Sequence, residues 1–155
     1  MRKMPESISS KLIAFLVFFI LLSDQISKWL VVNSLTLGES YHIFPFFNIV
    51  MVQNNGITFG ILKGTIPSAV LIFVAVVAMI FVFIWARRNK HYMLPATLII
   101  SGAIGNIIDR IVHGAVIDFL DFHLYGYHWP AFNIADSAIV IGAAILFFIS
   151  FGEQT

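Results

Sequence analysis

The stretch from Gly114 to Asp136 holds three carboxylates, Asp118, Asp121 and Asp136, in a chain with only eight acidic residues. Asp136 opens an apolar run that reads as a membrane helix, where a carboxylate is costly and usually functional. Asp118 closely follows the end of the preceding apolar run. Both therefore fall at one membrane boundary. Two carboxyls a few ångströms apart do not both ionise readily; they share one proton and titrate as a unit. The charged member can take a proton from water while the protonated member polarises a peptide carbonyl. That is general acid–base catalysis with neither metal nor covalent intermediate. The bland alternative is an N-cap role for Asp136 and a loop salt bridge for Asp118. Asp121 competes for either place and reads better as a solvated loop acid.

Other polar residues stand where apolar ones are expected. Asp24 and Lys28 are four residues apart and share a helix face, flanked by Ser27. They read either as a snorkelling pair or as one wall of a site; Lys28 at the non-cytoplasmic end runs against the positive-inside trend and favours the second. Lys28→Ala is then expected to weaken substrate handling more than folding. Asn106, Asp109 and Arg110 form a second polar stripe. It reads as a structural knot or as a positioning device, since a buried ion pair costs desolvation. Gly102 and Gly105 thin that helix for close packing. Asn133 lies three residues before Asp136 on a similar face. Ser137 lacks the surroundings of a serine nucleophile, and His113, His123 and His128 read as bystanders. There is no cysteine, so thiolate chemistry and disulfides are excluded. Histidine spacing offers no metal pair, so no metal and no cofactor is expected.

Placing these groups requires membrane helices. The 155 residues are 59% hydrophobic and 11% charged, with a mean hydropathy of +0.93; a soluble domain has about 25% charged residues. The class is an integral membrane protein. A net charge of +1 argues against nucleic-acid binding. Four spans are expected, at 12–32, 66–86, 94–112 and 132–151, forming one domain over 1–155. They must be helices, which satisfy their own backbone groups in hydrocarbon. Arg2, Lys3 and Lys11 precede the first apolar run as in a signal peptide. No small-residue cleavage site follows, so the run reads as an uncleaved span. Arg87, Arg88 and Lys90 lie between the second and third spans, which puts both termini in the cytoplasm. Segments 33–65 and 113–131 then lie on the other side. The first is expected to form a small strand-rich cap lying on the membrane, because Phe44–Phe47 and Phe47–Val52 lean to β and Asn54-Asn55-Gly56 signals a turn. The fold class is thus all-α, with four transmembrane helices and a small strand-rich cap on the non-cytoplasmic face.

Taken in order, the pieces Asp24-Gln25-x-Ser27-Lys28, Asn54-x-Gly56 with Phe59, Gly102-Ala103-x-Gly105-Asn106-x-x-Asp109-Arg110, Gly114-x-Val116-x-Asp118-Phe119 and Phe132-Asn133-x-Ala135-Asp136 resemble bacterial lipoprotein signal peptidase, the type II signal peptidase, along nearly the whole chain. The resemblance implies an aspartic endopeptidase of the bacterial cytoplasmic membrane. It would cut a diacylglyceryl-modified prolipoprotein just before the lipidated cysteine, act as a monomer among membrane lipids, and be a target of globomycin-like cyclic peptides. It implies Asp118 and Asp136 as the catalytic pair. Asp24, Lys28, Asn54, Gly56, Asn106, Asp109, Arg110, Val116 and Asn133 become substrate-binding or supporting residues. Independently of the resemblance, an enzyme cutting at the bilayer boundary needs a lid against water, and segment 33–65 is the candidate, hinged at Gly56 and Gly60. The chain departs from the family pattern at Gln53, Ile57, Thr58 and Ser101, none a proposed catalytic group. The alternative is a small proton-coupled membrane transporter, since intramembrane charges also mark ion pathways.

Overall fold

In the computed structural model, residues 9–56 and 66–152 are described. Four helices are long and apolar enough to cross a membrane. They are α1 (Ser10–Ser34), α2 (Ser68–Ala86), α3 (Met93–His113, preceded by a 3-10 turn at Lys90–Tyr92) and α4 (Ile134–Gly152). The expected spans match these within two residues at each end. The fourth starts later than expected because Phe132 belongs to the cap. Its carbonyl accepts from Phe119 N and Leu120 N, and its own N–H donates to Leu120 O.

The cap is a four-stranded antiparallel sheet in the order β1 (Ser40–Phe44), β2 (Phe47–Asn54), β3 (Val116–Leu124), β4 (Tyr127–His128). The strand-rich expectation for 33–65 therefore holds, with two corrections. The β1–β2 turn falls at Pro45-Phe46, inside the segment read as strand. Asn54-Asn55-Gly56 instead ends β2, with Gly56 N donating to Asn54 Oδ1 at 3.0 Å. The second correction is β3, expected as loop. Its first four residues are all buried, so the alternation that marks a half-buried strand is absent. The turn to β4 uses Tyr125 and Gly126, both at positive φ, the geometry of tight hairpins. Ile57, Thr58, Phe59 and Gly60, and with them the last part of the expected lid (57–65), lie outside the described residues.

Helix α3 is the centre, packed against α4, α1 and α2. On α1 the buried residues are Ile20, Asp24, Lys28 and Val31, so its inward stripe is largely polar while its other faces meet lipid. On α2 only Ala86 is buried. The α3–α4 contact depends on glycine. A Cβ on Gly102 would overlap the Ala135 carbonyl oxygen and lie 2.8 Å from Ile139 Cγ1. On Gly142 it would lie 2.7 Å from the Pro95 carbonyl oxygen. Backbone cannot rotate away as a side-chain tip can. Gly102→Ala and Gly142→Ala should each cost about 1–3 kcal/mol, the usual penalty of overpacking, read as a lowered melting temperature in detergent. Unchanged melting would show that the two helices slide apart freely.

Two joints set up the site. Gly114 closes α3 in the left-handed conformation (φ 74), its N–H donating to Arg110 O at 3.1 Å, a cap for which glycine is favoured. The chain then turns directly into β3. Val31, Met51, Ile117 and Phe119 form the apolar cluster that binds β2 and β3 onto α1.

Candidate active site

Asp118 is the third residue of β3 and Asp136 stands in the first turn of α4. Asn133, fully buried, bridges them. Its Nδ2 donates to Asp118 Oδ1 at 2.7 Å, and its Oδ1 accepts from Asp136 N at 2.8 Å. The helix cap that the bland alternative gave to Asp136 is supplied by Asn133, which frees the Asp136 carboxylate. That carboxylate accepts from Asn106 Nδ2 at 2.8 Å. Asp118 Oδ2 accepts from Asn54 Nδ2 at 3.0 Å. Three asparagines from three parts of the chain therefore hold the two acids.

Burial and the nearby charge of Asp136 push the Asp118 carboxyl up to about 7, against the opposing hydrogen bonds from Asn54 and Asn133 and the charge of Lys28. Desolvation disfavours the charged form, and a neighbouring carboxylate adds to it. Near neutral pH this acid is therefore able both to hold and to release a proton.

Beneath the pair lies an ion knot. Lys28 Nζ is 2.8 Å from both Asp24 Oδ2 and Asp109 Oδ2 and donates to Asn106 Oδ1 at 3.2 Å. Each of the two knot carboxylates fastens the backbone beside one site acid. Asp24 Oδ1 accepts from Ala135 N at 2.9 Å, next to Asp136. Asp109 Oδ2 accepts from Ile117 N at 3.0 Å, next to Asp118. Asp24, Lys28 and Asp109 are at most 2% exposed. They support the acids from below and present no surface to a ligand. Gln25, which spacing did not single out, ties Asp24 Oδ2 to Asp109 Oδ1 at 3.1 Å each. It lies off the Asp24–Lys28 face, so a search for one polar stripe passes over it.

A cleft of about 210 Å³ opens between α2, α3 and α4. Its polar lining is Asn54, Asn106, Arg110 and Asp136, and Val116 stands beside them. The apolar wall includes Ala75, Ala78 and Ala103. Asp118, 2% exposed, lies outside the lining. Arg110 Nη2 donates to Gly56 O at 2.8 Å and Nη1 to Asn106 O at 3.3 Å. Its Nε is buried with no hydrogen-bond partner among the described residues. Arg110 therefore turns away from Asp109 and faces the cleft, splitting the polar stripe of α3 into a buried half and a lining half.

The remaining candidates fall elsewhere. Asp121 is buried on β3, not solvated in a loop. It accepts from Asn48 Nδ2 at 2.8 Å, and His128 Nδ1 lies 2.8 Å from its Oδ1. Its partners differ from those of Asp118, so it does not compete for the pair. His113 is exposed. Ser137 Oγ donates to Asn133 O at 2.9 Å, the role of a helix residue rather than a nucleophile. Ser101, a departure from the resembled pattern, is buried and donates to Thr97 O at 2.7 Å, so its hydroxyl is satisfied within α3.

Known proteins are similar to this chain over most of its length. A family model described as signal peptidase (SPase) II matches residues 16–152. A lipoprotein signal peptidase of Alteromonas mediterranea is 46% identical over 129 residues, covering 79% of this chain and 71% of that protein. One from Thermodesulfovibrio yellowstonii is 43% identical, covering 83% and 87%. A bacterial membrane enzyme solved by the in meso method at 2.3 Å superposes with a TM-score of 0.86 at 29% identity, covering 98% of this chain and 94% of that one. With the four spans, the buried acids at their cap end and this breadth of similarity, the chain belongs to the signal peptidase II family of membrane peptidases.

Proposed function

We propose that this peptidase removes the signal peptide from diacylglyceryl-modified prolipoproteins, cutting before the lipidated cysteine, with Asp118 and Asp136 as an aspartic pair. The observation that carries the reading is Asn133, which holds one acid by its amide nitrogen and the other's backbone by its amide oxygen. The Asp118 carboxyl, pushed up to about 7 by burial and by the charge of Asp136, is the member of the pair suited to hold the proton at neutral pH. The ionised acid takes a proton from a water, and the water oxygen attacks the scissile carbonyl. The protonated acid donates to the carbonyl oxygen. Collapse of the tetrahedral intermediate returns a proton to the leaving amine and restores the pair. The Arg110 guanidinium and the Asn54 side chain line the cleft, placed to hold substrate main-chain carbonyls.

The location of the acids fits this substrate. A signal peptide is itself an apolar helix, so its cleavage site arrives at the end of the spans, where the acids stand. We place the protein in the bacterial cytoplasmic membrane with both termini inside. The exposed Arg87 and Arg88, with Lys90 beside them, then face the cytoplasm and the cap faces out. A cysteine placed at position 88 should react with a membrane-impermeant maleimide only after spheroplasts are opened, and one at position 125 before; the reverse pattern would invert the topology. Globomycin-like peptides would compete for the same cleft. The transporter alternative has no support in the grouping of the buried charges, which gather on the cap side of the bundle.

The central test is cleavage of a purified diacylglyceryl-modified prolipoprotein, wild type against acid-to-amide variants. Activity should also survive a chelator. Two acids that share a proton activate water without a metal. Loss of activity in EDTA, restored by one divalent metal, would replace the two-acid mechanism with a metal-assisted one.

A further inference from the structure

Asp136 lines two grooves. The first is the cleft described above. The second, of about 290 Å³, is lined by Trp129, Phe132, Asp136, Ser137, Val140 and Ile141. A helix turns roughly 100° per residue. Ile139, in the first groove, therefore lies on one side of Asp136, and Ser137, Val140 and Ile141 lie on the other. One acid of the pair thus stands on the ridge between two grooves. Val140 and Ile141 are exposed on α4, so the second groove opens sideways into lipid. It runs from Asp136 about 7 Å down the helix.

The two grooves differ in what they can hold. The first offers amide and guanidinium groups to a peptide backbone. In the second, the polar wall groups are already engaged. Ser137 Oγ donates to Asn133 O, and the backbone of Phe132 is bonded in both directions to β3. The backbone N–H of Trp129 donates to Phe122 O. The surface this groove exposes is almost wholly apolar, so apart from Asp136 it offers little to an unwound peptide, whose N–H and C=O groups need partners in a dry site. The fitting occupant is hydrocarbon.

We infer that the second groove seats the acyl chains of the substrate's diacylglyceryl group while the peptide lies in the first. This rests on the peptidase reading above and deepens it. The modified cysteine joins the two arms beside the scissile bond, and Asp136 stands where the two grooves join. The groove gains little by hydrophobic transfer, since lipid tails are as apolar as its walls. Its effect is placement: seating the chains fixes the register of the bond against the acids.

The test uses the full-length Asp118→Asn protein in phosphatidylethanolamine vesicles, with a prolipoprotein whose acyl chains carry a diazirine close to the ester end. Illumination should give adducts on Trp129, Val140 or Ile141. Adducts confined to α2 or α1 would overturn the assignment. So would equal labelling of these positions by a diazirine phosphatidylethanolamine that excess unlabelled substrate fails to displace, which would make the groove a seat for bilayer lipid only. In a kinetic arm, Val140→Trp should cut the preference for sixteen-carbon over two-carbon chains, as a kcat/KM ratio, by up to about 10²-fold, the scale on which a misplacement of about 1 Å costs rate. Phe148→Ala, lipid-facing and outside both grooves, should leave that ratio alone. An unchanged ratio in Val140→Trp would reject the groove. If the wild type cleaves none of these substrates, the peptidase reading itself fails, a result distinct from misplaced adducts.

Discussion

Asp118→Asn and Asp136→Asn will each lower the single-turnover rate on a diacylglyceryl-modified prolipoprotein by about 10²–10⁴-fold, the usual worth of general acid–base catalysis. The folded protein will survive both changes. An amide has the shape of a carboxylate, and burial already holds the Asp118 carboxyl up to about 7. Removing a charge that is costly to bury offsets much of the lost hydrogen bonding. The pH dependence separates this from simple damage. The Asp118 carboxyl titrates at 3.8 in an ordinary setting and at about 7 in the fold. Between those values the native chain holds a proton that the unfolded chain has released. The stability so gained is fully present below about pH 3.8 and lost as pH rises through about 7. The amide introduced by Asp118→Asn does not titrate. The stability of that variant relative to wild type should therefore rise by an amount on the order of a few kcal/mol between about pH 4 and pH 8. Melting temperatures of both proteins across that range measure it. A flat difference would mean that the carboxyl is not perturbed, and full activity in either variant would remove that residue from the mechanism.

Lys28→Met will destabilise the protein by about 3–5 kcal/mol, because it strips the shared partner from two buried carboxylates. Asp24 and Asp109 would keep only Gln25 and one backbone N–H each. This reverses the expectation from spacing that Lys28 handles substrate. Its ammonium is 2% exposed and engaged on three sides. Neutralising both partners tests the point. Asp24→Asn and Asp109→Asn in the Lys28→Met background should recover part of the lost melting temperature, whereas a substrate-contact role would leave melting unmoved from the start. Specific activity of the remaining folded fraction should also fall, since the same carboxylates hold the backbone of Ala135 and Ile117 beside the two acids.

The spans and the acids were legible for one reason: polar residues in hydrocarbon are few, so each is informative. Asp24 with Lys28 and Asn106 with Asp109 follow helix spacing and meet as expected. The bridging part of Asn133 was only half legible. Its position before α4 suggests proximity to Asp136, but its grip on Asp118 depends on β3, whose both-sided burial erased the strand pattern. Arg110 and Asp109 are adjacent in sequence and looked like partners. Helix geometry points them about 100° apart, which sent one into the knot and the other to the cleft. Asp121 looked solvated because its partners, Asn48 and His128, come from strands whose register no local pattern fixes.

Strand β2 lies before α2 in the chain, and its sheet neighbour β3 lies after α3. Asn54 from the former and Asn133 from the foot of α4 grip one and the same carboxyl. A nascent chain emerging from the ribosome carries Asn54 long before it carries either acid, and delivers Asp136 with its final span. On the proposed mechanism the two acids are therefore brought together only once α4 docks, and a copy whose insertion has stopped short of α4 is expected to be unable to cut a leader sequence passing beside it.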